Sequence, residues 1–340
     1  MDNKWQHQLE SLGATFQDGA VQHFGDPAKE LAAAENSTVI VDLSHLGLIE
    51  VSGADALSFL QGQLTQDVEK ITSERAGFAG YCSPKGRLLA HFLAWKTGES
   101  YFLQLPRELI EPIQKRLKMY VLRSKVVLAD ASSSNVRFGL AGLNAEKIMA
   151  SVFGQVPVQL MDRVSTPVGS IIALPNGGYQ ILAVGNVAEP WQTIAKSATP
   201  AGASVWRWLQ IRAGISEIYT ATQEQFVPQM VNDDLIGAVS FQKGCYTGQE
   251  IVARLHYLGK AKRRMVGAHL DSPESPQPGD AIYGTKLEGQ AIGMVVDAAP
   301  APAGGWDLLV SIPVDDNAES SHYSKTQSGP EIIINSFKIN

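Results

Sequence analysis

The segment Lys243-Gly244-Cys245-Tyr246-Thr247-Gly248-Gln249-Glu250 constrains the fold more tightly than any other part of the chain. It sets one of only two cysteines between two glycines, with a lysine before it and a carboxylate five residues after it. Glycine on both sides of a reactive residue type predicts a backbone that turns sharply or comes close to a ligand. A lysine two positions from a thiol favours the thiolate. A short helix predicted from Gln249 to His256 would present its N-terminus to any anion held there. Two readings of Cys245 follow: a partly activated or ligand-contacting thiol at a tight turn, or a small buried hydrophobe, the commonest state of a free cysteine. Cys82 lacks the flanking glycines and reads as structural.

At 340 residues the chain exceeds one ordinary core, so two or three domains are expected. Its hydrophobic fraction of 44% and charged fraction of 18% are those of a globular protein. The polar start, Met1 to His7, has no apolar core of signal-peptide type, and no apolar run approaches the roughly 20 residues that span a bilayer. A cytoplasmic protein with free thiols and no membrane partner is therefore expected. Two distant cysteines make neither a disulfide framework nor a Cys-only metal or cluster site. The net charge of −6 argues against binding polyanions by bulk charge. Arg254, Lys260, Lys262, Arg263 and Arg264 nevertheless place five of the 28 basic residues within eleven positions, joined by His256. Acidic residues such as Asp233 and Asp234 lie elsewhere in the sequence. The run is either a local patch for phosphate or carboxylate or an ordinary solvated face.

Residues 1 to about 20 are only weakly patterned. Thr38 to Leu43 and Leu46 to Val51 read as strands. Ser52 to Asp55 resembles a capping box before a helix burying Leu57, Leu60 and Leu64. Pro84-Lys85-Gly86 is a turn, followed by strands from Arg87 to Trp95 and Tyr101 to Leu105. Leu109, Ile113, Leu117 and Tyr120 fit one helical face, with Pro112 near its first turn. Ser124 to Ala129 and Val136 to Ala141 read as strands, and Asn144 as the cap of a helix carrying Ile148 and Val152. Ile171 to Leu174 and Tyr179 to Val184 flank the hairpin signal Pro175 to Gly178. Ser204 is placed to cap a helix from Val205 to Ala213, stopped by Gly214. From about residue 262 short apolar runs (Met265 to Leu270, Ala291 to Val296, Trp306 to Ile312, Glu331 to Phe337) alternate with Pro- and Gly-rich turns, Ala298 to Gly305 reading as a surface loop. This is the pattern of a small β-barrel or sandwich. The boundary falls near residues 257–262, giving regions 1–260 and 261–340, the first with room for two subdomains split near 130–140. The larger region mixes strands and helices without regular βαβ alternation, so it is α+β.

Several chemistries find no support. There is no G-x-S-x-G elbow. The seven histidines show no metal spacing, and His91 in its apolar strand reads as a core or edge residue. No G-x-G-x-x-G follows a strand, and no Walker loop occurs. Trp206, Trp208, Tyr219, Tyr246 and Tyr257 give the second half of the larger region an aromatic bias, suited to a flat heterocycle or to plain core packing. At helical spacing i and i+2, only one of Trp206 and Trp208 can face a given pocket.

Phe241 to Arg254, with its K-G-C-Y-T-G-Q-E core, resembles the signature of the YgfZ proteins, which belong to the aminomethyltransferase (glycine-cleavage T-protein) superfamily. Val51 to Asp55, Gln61 to Val68, Ser83 to Arg87, Tyr120 to Val126, Ala213 to Ile215, Phe226 to Gln229 and Lys260 to Arg264 carry further resemblance, spanning roughly residues 36–312. It implies two mixed α/β parts around a central cavity plus a C-terminal β-barrel, and a tetrahydrofolate-type ligand in that cavity. It also implies a role in tRNA modification and in maintaining iron–sulfur enzymes. Of the family's two folate-site tryptophans, one aligns with Trp206; the other falls at Leu46. The glycine-cleavage branch places a pterin-binding Glu where this chain has Arg212, and a cation cannot accept the pterin's N–H donors. The expected site is therefore Trp206, Tyr246, Glu250 and Arg254 toward folate, with Arg254 and its basic neighbours toward the glutamate tail. Cys245, assisted by Lys243, is expected to supply a thiol for redox, cluster or sulfur chemistry. Two other functions fit the same residues: a folate-dependent one-carbon transferase using Asp67 or Glu250, and a tRNA-binding accessory factor using the basic run.

Overall fold

The computed structural model of the protein describes residues 3–185, 187–285, 289–316 and 321–334. Two antiparallel-rich sheets and a barrel form its framework. The five-stranded sheet runs in the order Gly77–Cys82, Leu88–Thr97, Ser100–Pro106, Leu46–Ser52, Val127–Asp130. The six-stranded sheet runs Arg163–Thr166, Gly169–Ala173, Gly178–Ala183, Arg137–Gly142, Thr38–Asp42, Thr199–Ala201. Its last pair is parallel and the others are antiparallel. The C-terminal strands Arg263–Leu270, Trp306–Pro313, Ala291–Pro300, Ala281–Gly284, His322–Ser324 and Glu331–Ile334 form a closed barrel, sealed where Leu270 pairs with Ile332. The strand expected over Glu331 to Phe337 is observed to Ile334; residues 335–337 lie outside the described residues. The fold is thus the expected α+β arrangement with a C-terminal β-barrel.

The six-stranded sheet explains why Thr38–Asp42 is buried along its whole length. Alternate side chains leave a strand on opposite faces. Ile40 enters an outer core with Trp5, Leu9, Phe138, Leu140, Ile181 and Trp191. Val39 and Val41 enter the central core, shared with Leu48, Leu60, Leu105 and Trp206. The outer core also explains the helix Asn3–Ser11, for which the polar N-terminus gave little signal. Trp5 and Leu9, four residues apart, supply its one apolar stripe, and Trp5 Nε1 donates to Asp42 at 2.8 Å.

Several local readings shift. Leu57 is exposed, because the buried stripe of Ala56–Gln63 runs through Ala56, Phe59 and Leu60. Asp55 makes no cap hydrogen bond to that helix; its carboxylate accepts from the Lys125 N–H instead. The helix expected from Val205 spans Ala203–Arg212 with Gly202 as its N-cap, not Ser204. A side chain at Gly202 would run into the Gln22 carbonyl, and its N–H donates to Glu30 Oε2 at 2.9 Å. Ala298 and Ala299, expected in a loop, are buried in a barrel strand.

Ala203–Arg212 is the element on which the parts converge. A Cβ at Gly139, in the middle of the six-stranded sheet, would overlap the Trp206 ring. On the other side, Arg207 pairs with Asp297 of the barrel, and Trp208 Nε1 donates to Asp307 at 2.8 Å. Arg137 ties the sheets together, donating to the Leu46 carbonyl at 2.9 Å and to Gln104 Oε1 at 2.9 Å. Among the described residues, no helix is long and apolar enough to cross a membrane. Gly139→Ala is expected to displace the Trp206 ring and cost about 1–3 kcal/mol, the usual penalty of overpacking. Urea unfolding followed by tryptophan emission measures it, and an unchanged midpoint would contradict the packing described.

Candidate functional site

The helix Ala203–Arg212 presents Ala203, Trp206, Arg207 and Gln210, at three- and four-residue spacing, to a cavity of about 350 Å³. The opposite walls come from each part of the fold: His45, Leu46 and Pro106 at the ends of sheet strands, Glu217 and Tyr219 after the helix, and Asp297, Pro300 and Trp306 from the barrel. Trp206 is 1% exposed and Gln210 8%. Among the described residues, neither the Trp206 Nε1–H nor Gln210 Oε1 has a hydrogen-bond partner, and the same holds for His45 Nδ1. Buried polar groups are nearly always paired, so unpaired ones on a cavity wall mark places where a ligand or water bonds.

The charges on these walls fall into a compensated pair and a lone carboxylate. The Arg207 guanidinium ion-pairs with the fully buried Asp297 and lies over the Tyr219 ring at 4.7 Å. The Tyr219 hydroxyl donates to Asp297 Oδ2 at 3.2 Å. Burial works against the Arg207 charge, but Asp297, Tyr219 and Glu217 outweigh it and raise its pKa. Burial also raises the Asp297 carboxyl, with Arg207 opposing. Glu217 stands outside this pair: burial, reinforced by Asp297, pushes it up to about 8. Burial, and then the charge of Arg137, pushes His45 down to about 4, so its imidazole is neutral at physiological pH.

The Cys245 turn is a separate place. Gly248, at φ 83°, caps the helix Gln249–Leu258 and lies against the Ser83–Gly86 turn, where a Cβ would meet the Ser83 carbonyl at 2.5 Å and Gly86 Cα at 2.8 Å. The second glycine is therefore required both by its backbone conformation and by this close approach. Lys243 Nζ donates to the Leu64 and Gln66 carbonyls at 2.7 Å each and lies over the Tyr246 ring at 5.4 Å. Burial pushes its pKa down to about 8, with Asp67 opposing. The ammonium fastens the turn to the backbone of residues 64–66. Tyr246 is buried, and burial raises its phenol. Cys245 is exposed.

Of the expected folate residues, Trp206 lines the central cavity, as does Leu46; Tyr246, Glu250 and Arg254 do not. Nor do Asp67 and Glu250, the carboxylates considered for one-carbon transfer. Asp67 instead caps residues 68–70 and accepts from Gln61 Nε2. Arg212 lies outside the cavity wall, over the Trp208 ring and 3.6 Å from Asp307. The basic run is partly neutralised: Arg264 forms a two-pronged bond to Asp234, brought to it by the fold across thirty positions of sequence. Sequence reasoning missed Arg207, Gln210, Glu217 and Asp297. The spacing of 203, 206, 207 and 210 carried a signal for the first two, and a lone carboxylate in the apolar strand Ala291–Pro300 carried one for the fourth.

Cys82 is fully buried, and burial raises its thiol. Ellman's reagent is therefore expected to titrate one thiol in the folded protein and two in denaturant, with Cys245→Ala removing the folded-state reaction. Two reactive thiols in the folded protein would contradict this placement.

Comparison with known proteins fits this geometry. Residues 11–170 match the model of the GCVT N-terminal domain. In solved structures, aminomethyltransferase T of the glycine cleavage system from Bartonella henselae superposes with a TM-score of 0.79 at 17% identity, covering 98% of this chain and 96% of that one. Among sequence relatives, the tRNA-modifying protein YgfZ of Escherichia coli O157:H7 is 31% identical over 75% of this chain and 79% of its own. That of Colwellia psychrerythraea is 33% identical over 69% of this chain and 74% of its own. The aminomethyltransferase fold and these similarities together place the chain in the YgfZ family.

Proposed function

We propose that this chain binds a tetrahydrofolate in the central cavity and acts in tRNA modification, in support of iron–sulfur enzymes, in the cytoplasm. The observation that carries the reading is the wall built by Trp206. Its buried indole backs the wall on which a flat heterocycle would lie, and its unpartnered N–H and the unpartnered Gln210 oxygen are polar anchors for it. Residues 1–260 would hold the ligand, with the barrel of residues 261–340 closing one side. Bound folate would supply a one-carbon carrier; the chain's own part is to bind and orient it and to exclude water. The relatives' name, tRNA-modifying protein, supports the biological setting. Cys245 would serve from the surface, at a turn held by Lys243, apart from the cavity.

Titration with a reduced folate tests the reading. Saturable quenching of tryptophan emission is expected in the wild type and a much smaller change in Trp206→Phe. Absence of quenching by any reduced folate would sink it.

A second reading, direct contact with RNA, is favoured by one surface. The rings of Phe241 and His256 stack at 3.7 Å with Tyr257 edge-on, and the segment that carries His256 and Tyr257 also carries the exposed Arg254, Lys260 and Lys262. Aromatic faces flanked by cations suit unpaired bases. Binding to unmodified tRNA should then weaken steeply with salt, as phosphate contacts do; salt-insensitive or undetectable binding would argue against it.

A further inference from the structure

The two sheets line a second cavity, of about 210 Å³, which shares no lining residue with the first. On the six-stranded sheet, Ser165, Ser170, Leu182 and Arg137 pair directly across four neighbouring strands, so their side chains leave the same face. Arg163 stands two residues before Ser165 on the edge strand and joins that face. On the five-stranded sheet, Trp95 pairs with Phe102, their rings stacked at 5.8 Å, and Thr97 follows two residues later. All of these residues line the cavity. Trp95 and Phe102 are buried, whereas Thr97 and Ser165 are exposed and mark its mouth.

The two arginines on this wall are held differently. Arg137 donates to the carbonyls of Leu46, Gly47 and Asn135 and to Gln104, and the carboxylates Asp42 and Asp130 offset part of its burial. Arg163 is 6% exposed and makes no ion pair among the described residues. Its neighbour Asp162 is turned to Arg75 instead. The Arg163 bonds all go to neutral acceptors: Nε to Ser170 Oγ at 3.1 Å, one terminal nitrogen to the Ser73 carbonyl at 2.7 Å, the other to Thr97 Oγ1 at 3.0 Å. A guanidinium carries five N–H donors, so one remains on each terminal nitrogen. Burial lowers its pKa. A buried cation is costly unless an anion pairs with it.

We propose that this cavity binds a small monocarboxylic acid with a flat apolar body, its carboxylate on Arg163 and its body beside Trp95 and Phe102. The two N–H groups left on Arg163 match in number the two oxygens of one carboxylate. A phosphate carries more charge and asks for more donors, but the donors of Arg137 are already engaged and the remaining wall at Val136, Leu182 and Val184 is apolar. The volume lies below the roughly 300 Å³ at which sites for drug-sized ligands begin, so the occupant is small. The site is separate from the central cavity and does not depend on the folate reading.

The test is a titration of 4-fluorobenzoate with the protein, followed by broadening of the fluorine resonance, in wild type, Arg163→Gln, Ser165→Trp and Trp206→Phe. Ser165→Trp fills the mouth while leaving the Arg163 bonds in place, so it tests the site even where Arg163→Gln disturbs the sheet. Wild type and Trp206→Phe should bind saturably, with a Kd of about 1 mM or tighter, the scale for a ligand of this size. The neutral isostere 4-fluorobenzamide should bind at least about tenfold more weakly, having lost the charge-assisted bonds, and Arg163→Gln should weaken the acid as much. Ser165→Trp should abolish saturable binding, and inorganic phosphate should not displace the probe. Absence of saturable binding in the wild type would leave Arg163 as a strut between the sheets and overturn the proposal. Equal affinity for acid and amide, or binding that survives Ser165→Trp, would do the same. Loss of binding in Trp206→Phe would put the probe in the central cavity, and displacement by phosphate would overturn the choice of a carboxylate.

Discussion

The Trp206 indole can lie against the six-stranded sheet only because position 139 carries no side chain, and most of the architecture is arranged around that contact. The indole fixes the roll of the helix Ala203–Arg212. With the roll fixed, Arg207 and Trp208 are turned to the barrel carboxylates Asp297 and Asp307, so polar bonds as well as apolar burial dock the barrel. Gly202, one residue before the helix, closes it against the N-terminal hairpin, in which Ala20–His23 pairs antiparallel with Thr15–Gln17. One helix thus sees both sheets' ends, the hairpin and the barrel, and the space it cannot fill is the cavity.

The electrostatics follow from the same geometry. A guanidinium pushed into the seam between helix and barrel demands a carboxylate, and Asp297 meets it. Burial raises the Glu217 carboxyl toward neutrality, and Asp297, though paired, adds its repulsion, with Arg207 opposing. Arg137, buried at the junction of the sheets, is answered by carbonyls and Gln104, and burial brings it down to about 10. Arg207 and Arg137 are thus used to hold parts together, and Glu217 is left without a cation of its own among the described residues.

How far this was legible varied with the range of the interaction. Strands such as Leu46–Ser52 and the hairpin Gly169–Ala173 with Gly178–Ala183 were readable, because apolar runs and turn residues are local signals. The barrel was readable from the change of texture after residue 262. The capping serine at 204 was misread because the determinant is the Gln22 backbone, far away in sequence. The placing of Trp206 on a cavity was legible through family resemblance, whereas Glu217 sits in an unremarkable stretch and gains meaning only from its burial and from Asp297, eighty positions later. The octapeptide was rightly singled out for its backbone, but its lysine and tyrosine are turned toward residues 64–66 and the interior rather than toward the cavity.

The contact of Gly248 with the Ser83–Gly86 turn also has a bearing on how the molecule is made. The two turns are separated by most of the larger region, so closing them is a late and entropically costly event for a chain leaving the ribosome. The Cys245 loop can take its final shape only after the first sheet has formed and residues 64–66 are in place to receive Lys243. The exposed thiol is in this sense a marker of completed folding: a partly folded chain carries the same cysteine but cannot present it on the fastened turn.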